Sequence, residues 1–140
     1  MMFLLLLPFV ATLATAWDQS IAVKGRFLCG TEPANAQLKL LDEDGSLDPD
    51  DLLDTKDTDG SGYFSLSGTT EENSLIEPKS EIEHRCNEER ETATRRMMLY
   101  LPQSYITDGR TPTKTFDIGV LNLETIFPGE RDYVLSFLFG

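Results

Sequence analysis

Few residues in this chain are of the kinds that do chemistry. It has one histidine, His84, and two cysteines, Cys29 and Cys86. A lone histidine cannot build a His-rich metal site. Catalysis at His84 would need a nucleophile or a partner acid at a defined spacing, and the sequence offers only generic ones. Ser65, Ser67 and Ser104 lie in no Gly-x-Ser-x-Gly elbow. No phosphate loop, HExxH or Gly-x-Gly-x-x-Gly motif is present. His84 shares a parity with Ile82 and Cys86, so it reads as a satisfied, partly buried side chain. The expectation is therefore a protein without catalytic residues, cofactor or built metal site.

Carboxylates are the other candidates. Asp57-x-Asp59-Gly60 resembles the middle of a calcium loop, where oxygens at alternate positions wrap the ion and glycine permits the turn. The rest of that pattern fails: the first ligand position is Thr55 and the closing position is Leu66. Asp42, Asp44 and Asp48 form a second group, again with no closing bidentate acid. Turn chemistry accounts for Asp-Gly before a strand without any metal. Arg90, Arg95 and Arg96, near Lys79 and Arg85, form a small basic patch that balances Glu88, Glu89 and Glu91 on a solvated face. Met97, Met98 and Tyr100 could line a ligand surface, although alternating Met and Leu reads first as core.

Most of these residues fall on segments that alternate with period two. In Ser20–Cys29, Ile21, Val23, Phe27 and Cys29 share one parity and Lys24 and Arg26 the other, the pattern of a half-buried strand. Gln37–Leu41, Gly62–Ser67, Glu81–Cys86 and Thr94–Leu101 read the same way. Thr115–Glu124 switches phase beside Gly119, as a β-bulge would make it do. Asp132–Phe139 is a last strand candidate. Between them, Asp42–Asp59 carries nine acids against the single Lys56 and reads as a long solvated loop with a helical turn after Pro49. Thr69–Lys79 reads as a polar connection. About seven strands and no long amphipathic helix predict an all-β antiparallel Greek-key sandwich.

Residues 1–16 (MMFLLLLPFVATLATA) are uncharged and apolar, and they end in the small-x-small pattern Ala14-Thr15-Ala16. They read as a secretory leader cleaved after Ala16. Its apolar run is shorter than the about 20 residues that span a membrane. The mature domain is then 17–140, with no other segment apolar enough to cross a bilayer. In an exported protein, two cysteines allow one intramolecular bridge. Cys29 and Cys86 are 57 residues apart, and closing that loop is worth about 4 kcal/mol in the chain-entropy picture. The chain has 140 residues, is 40% hydrophobic and 26% charged, and carries a net charge of −12. Those fractions are globular. The negative balance argues against nucleic acid and against simple docking on anionic lipid.

Six strings, in order, resemble the nematode transthyretin-like family of small secreted proteins: IAVKGRFLCG (Ile21–Gly30), PDDLLD (Pro49–Asp54), TDGSGYFSLSG (Thr58–Gly68), IEHRC (Ile82–Cys86), LPQSYITDG (Leu101–Gly109) and TFDIGVLNLETIFPGE (Thr115–Glu130). The resemblance covers residues 19–132. It implies a transthyretin-type sandwich, secretion or display at the cell surface, and a Cys29–Cys86 bridge, and it implies no catalytic site. By analogy with vertebrate transthyretin it points to a carrier of a small apolar ligand. The alternatives are a cell-surface bridge that binds a protein receptor or a lipid surface, or less readily a hydrolase of the hydroxyisourate type. Hydroxyisourate hydrolases use several histidines and end Tyr-Arg-Gly-Ser, whereas this chain has one histidine and ends Phe-Leu-Phe-Gly. A homodimer through edge strands is a further expectation. The apolar tail at 133–140 departs from the family pattern.

Overall fold

The computed structural model describes residues 8–11, 15–45 and 49–134. Ten strands follow one another: β1 (Trp17–Cys29), β2 (Glu32–Pro33), β3 (Ala36–Asp42), β4 (Asp51–Asp57), β5 (Tyr63–Glu72), β6 (Pro78–His84), β7 (Ala93–Tyr100), β8 (Thr107–Asp108), β9 (Phe116–Asn122) and β10 (Arg131–Val134). A single 3-10 turn, Gln103–Tyr105, is the only helical element among the described residues. They form two sheets. In the first, β1 is central and pairs with β2, β5, β8 and β9. The second runs β10-β7-β6-β3-β4.

Alternation along the strands makes the core. Ile21, Val23 and Phe27 of β1 and Phe64 and Leu66 of β5 face inward from the first sheet. They meet Leu38, Leu40, Ile82 and Met97 from the second. The Phe27 and Phe64 rings stack with centroids 4.7 Å apart. Gly25 breaks the run of large inward residues on β1 for a steric reason. A Cβ there would lie 2.5 Å from Ile118 and 3.0 Å from the Phe64 ring. Cys29, at the end of β1, is bonded to Cys86 just beyond β6, so one disulfide ties the two sheets together.

The β-sandwich expected from the sequence is there, with three differences. First, the acidic stretch is not all loop. Asp51–Asp57 is β4, paired antiparallel with β3 from Asp42↔Asp51 to Gln37↔Asp57 around a bulge at Leu40/Leu41. As the outer strand of its sheet, β4 keeps its carboxylates in water while Leu53 packs on the core, and charge on an edge strand also blocks unwanted pairing. Second, β5 runs on to Glu72 and β6 starts at Pro78, so the polar connection shrinks to 73–77. Third, β9 runs parallel to β1. Its extra residue sits between Asp117 and Val120 opposite Lys24 and Arg26, with Gly119 at φ +74°. This is the bulge that the phase switch indicated.

The strand expected at Asp132–Phe139 starts at Arg131, and 135–140 lie outside the described residues. Of residues 1–16, the described ones, 8–11 and 15–16, belong to no element, and Phe9 is 95% exposed.

Candidate functional site

A cleft of about 320 Å³ opens on the outer face of the first sheet. The parity that buries Val23 and Phe27 turns Lys24 and Arg26 outward. Two cross-strand rows result. Lys24 has Ser65 on one side and Asp117 on the other; Arg26 has Tyr63 and Val120. The bulge in β9 sets Val120 in the second row, where it is 60% exposed. Arg26 lies over the Tyr63 ring, 4.9 Å from its centroid, and its Nε donates to the Ser61 carbonyl at 2.9 Å. Asp117 is occupied with the bulge, since its Oδ1 accepts the Gly119 N–H at 2.8 Å. Among the described residues, neither Lys24 nor Arg26 makes an ion pair. The site therefore presents two adjacent cations with an aromatic and an aliphatic flank. Its lining residues follow from strand parity, but their approach to one another depends on which strands pair.

His84 lies inside, at the end of β6 beside the disulfide, and is 3% exposed. Its Nδ1 accepts the Cys86 N–H at 3.1 Å, so the proton of the neutral ring sits on Nε2, which has no partner. Burial, and then the neighbouring Arg95, hold its pKa below the ordinary value, and Glu130 offsets this in part. Arg95 corrects the expectation of a solvated basic patch. It is buried, because it occupies an inward position on β7. Its Nε pairs with Glu130. Its other nitrogens donate to the carbonyls of Cys86 and Leu123 at 2.7 Å and of Thr125 at 3.2 Å. Arg96, one residue on, faces outward onto Glu81 and Glu83, and Arg90 pairs with Glu88. The three arginines serve three separate places. Met97 is core, whereas Met98 and Tyr100 are exposed on the outer face of the second sheet.

The carboxylates also regroup. Asp59 Oδ1 accepts the N–H groups of Ser61 and Tyr63 at 2.9 Å each, so the Asp57–Gly60 motif is a turn. Asp42, Asp44, Asp51 and Glu72, from β3, β4, β5 and the loop after β3, instead bring one oxygen each within 4.8 Å of the others. These are oxygens that a hard cation could use. Asp48, expected beside Asp42 and Asp44, lies outside the described residues. Burial first, and then the hydrogen bond that the protonated Asp44 donates to Asp51, push Asp44 up to about 6. Glu72 is raised for the same reasons. Asp42 is raised by burial, against the pull of the Glu77 N–H. Next to this group, Lys79 is buried on Asp50 at 2.7 Å and Glu43 at 3.6 Å. Burial alone would lower Lys79, but these two acids outweigh it and its pKa is raised.

A two-sheet sandwich locked by one inter-sheet disulfide, with an open cleft on a sheet face, is a small disulfide-tied β domain in architecture. The chain belongs to the transthyretin-like family, whose profile matches residues 24–102. It is 49% identical over 136 residues to Transthyretin-like protein 46 of Caenorhabditis elegans, covering 96% of this chain and 76% of that protein. Transthyretin-like proteins 5 and 33 of the same organism are each 40% identical. They cover 80% and 81% of this chain, and 81% and 80% of their own lengths. Lys24, Arg26, Tyr63, His84 and both cysteines fall within the matched stretch; Val120 and Glu130 fall after it.

Proposed function

We propose that this protein is a secreted, non-enzymatic binding protein that carries a small organic anion with an apolar body in the cleft over β1. The observation that carries this reading is the pair Lys24 and Arg26. In a chain of net charge −12, two side-by-side cations stand without carboxylate partners over an open cleft. An anionic group would meet them, while its apolar part would lie against Tyr63 and Val120. A cleft of this volume sits at the low end of the range for ligand sites, which favours a small ligand. The space between the sheets is taken up by side chains, so an internal pocket of the monomer is not the better candidate. Secretion is supported by the leader-like 1–16, by strand pairing that begins at Trp17, and by the disulfide, which suits an oxidising compartment.

A bridging role is the second reading. Met98 and Tyr100, 41% and 60% exposed on the opposite sheet, would offer a protein receptor a separate face. Hydroxyisourate-type hydrolysis gains no support, since the single histidine faces the interior. Edge pairing into a homodimer has β9 as its candidate edge, and the bulge there works against it.

The test uses anilinonaphthalene sulfonate, an aromatic anion, titrated by fluorescence into the secreted protein at low and physiological salt. Lys24→Gln and Arg26→Gln should each weaken binding roughly tenfold, and salt should weaken it further. Met98→Lys should leave binding unchanged. Equal binding by the Lys24/Arg26 double variant would place the ligand elsewhere.

A further inference from the structure

The register of β1 on β5 sets Trp17, the first residue of β1, directly opposite Glu72. Trp17 is fixed from the other side as well, because its indole N–H donates to Asp108 Oδ1 at 3.1 Å. Glu72 belongs to the four-carboxylate group with Asp42, Asp44 and Asp51. Among the described residues, no lysine or arginine pairs with any of these four; Lys79 is committed to Asp50 and Glu43. Cα atoms opposed across antiparallel strands are about 4.5–5.5 Å apart. That spacing puts the backbone nitrogen of Trp17 within side-chain reach of the Glu72 carboxylate. In the unprocessed chain this nitrogen is an uncharged amide. When the leader is removed, water adds across the Ala16–Trp17 peptide bond. Ala16 leaves as a carboxylate and Trp17 keeps an α-ammonium.

We propose that this α-ammonium is the missing counter-charge of the Asp42–Asp44–Asp51–Glu72 group, so that the end of the sandwich is electrostatically complete only in the processed chain. The inference rests on the reading of residues 1–16 as a leader cleaved after Ala16. It gives the cut a consequence beyond release. The new terminus closes on the acids contributed by β3, β4 and β5, and the first strand is held at its end by charge as well as by pairing. An opposite charge within about 4–6 Å favours the ionised form of a carboxyl, so the new terminus supplies Glu72, directly opposite it, with an ion-pair partner.

Two forms of the full mature domain decide it: one begins at Trp17, and the other keeps Thr15-Ala16 ahead of it. Carboxyl titrations by NMR should show the Asp44 and Glu72 midpoints lower by about one pH unit in the form that begins at Trp17. Its melting temperature at pH 7 should be the higher of the two. Acetylating the amine, or introducing Glu72→Gln into both forms, should remove most of the difference. Equal carboxyl midpoints in the two forms, with an α-amine titrating at its ordinary value of about 7.7–8.0, would overturn the proposal. The mass of the protein secreted from eukaryotic cells reads the start residue independently. A start other than Trp17 sinks the leader reading, while the pair of defined forms still decides the electrostatic one.

Discussion

Arg95 shows how much depends on a single side chain at an inward position. Facing outward it would be an ordinary surface cation; facing inward it holds Glu130 and three carbonyls, and it fastens the segment after β9 to the disulfide end of β6. His84 is its neighbour and feels its charge. Protonating His84 would put a second cation beside Arg95 and would remove the Nδ1 acceptor of the Cys86 N–H. Its folded pKa is lowered, so the folded state favours the neutral ring. The contribution to stability is full above about pH 6.5, the ordinary histidine value, and is lost as pH falls through the window below it. Glu130, lowered despite its burial by Arg95 and the Phe127 N–H, loses its own contribution at lower pH still. The raised carboxyls of Asp44, Glu72 and Asp42 act in the opposite sense over the same range, so the histidine is read by difference: in thermal melts between about pH 7.5 and 5, wild type should lose stability relative to His84→Asn as pH falls. Parallel profiles would remove His84 from this account. The histidine's burial was legible from its parity with Ile82 and Cys86. Arg95 was not, because an arginine in a charged string reads as solvated until its partner, 35 residues away, is known.

At the level of elements, β1 and β9 define the cleft. Lys24 and Arg26 alternate outward whatever the neighbouring strands do, and the sequence shows this plainly. Val120 joins them only because β9 lies parallel to β1 and carries a bulge. Gly25 is the price of that close approach: removing its side chain lets Ile118 and Phe64 meet over β1. Gly25→Ala should cost about 1–3 kcal/mol, as overpacking of a filled core does, and it should weaken anion binding by displacing β9. Denaturant unfolding and the fluorescence titration check the two effects. An alanine variant as stable as wild type would mean that β9 yields without strain. Strand β4 was hidden for a different reason. Its residues are poor strand formers, and only the edge position beside β3, with Asp54 accepting the Ser67 N–H of the first sheet at 3.0 Å, makes them extended.

On the scale of the whole molecule, the disulfide is the covalent tie between sheets that otherwise meet through side-chain packing and side-chain hydrogen bonds such as that of Asp54. Replacing both cysteines by serine should cost about 2–5 kcal/mol, read as a lower urea midpoint for secreted protein. A variant with an unchanged midpoint would show that sandwich packing alone holds the termini of β1 and β6 together. Charge is also distributed by region. The four-carboxylate group and the Lys79 pairs gather acids at one end of the sandwich, whereas the cleft face presents cations. On the proposed reading, a small anion would meet Lys24 and Arg26 there against the single acid Asp117. Added salt should weaken that attraction, because both cations are in contact with water.

Strand parity, the position of the bulge and the leader-like start were written in local order along the chain, because each depends on neighbours one to a few residues away; the cysteine pairing, 57 residues apart, was legible from the count of two alone. The partners of Arg95, the grouping of Asp42 with Asp44, Asp51 and Glu72, the opposition of Trp17 to Glu72 and the strand identity of Asp51–Asp57 were decided only when the sheets assembled. Each needs residues distant in the chain to be brought side by side, and burial and charge act on distances in space that no spacing along the chain encodes.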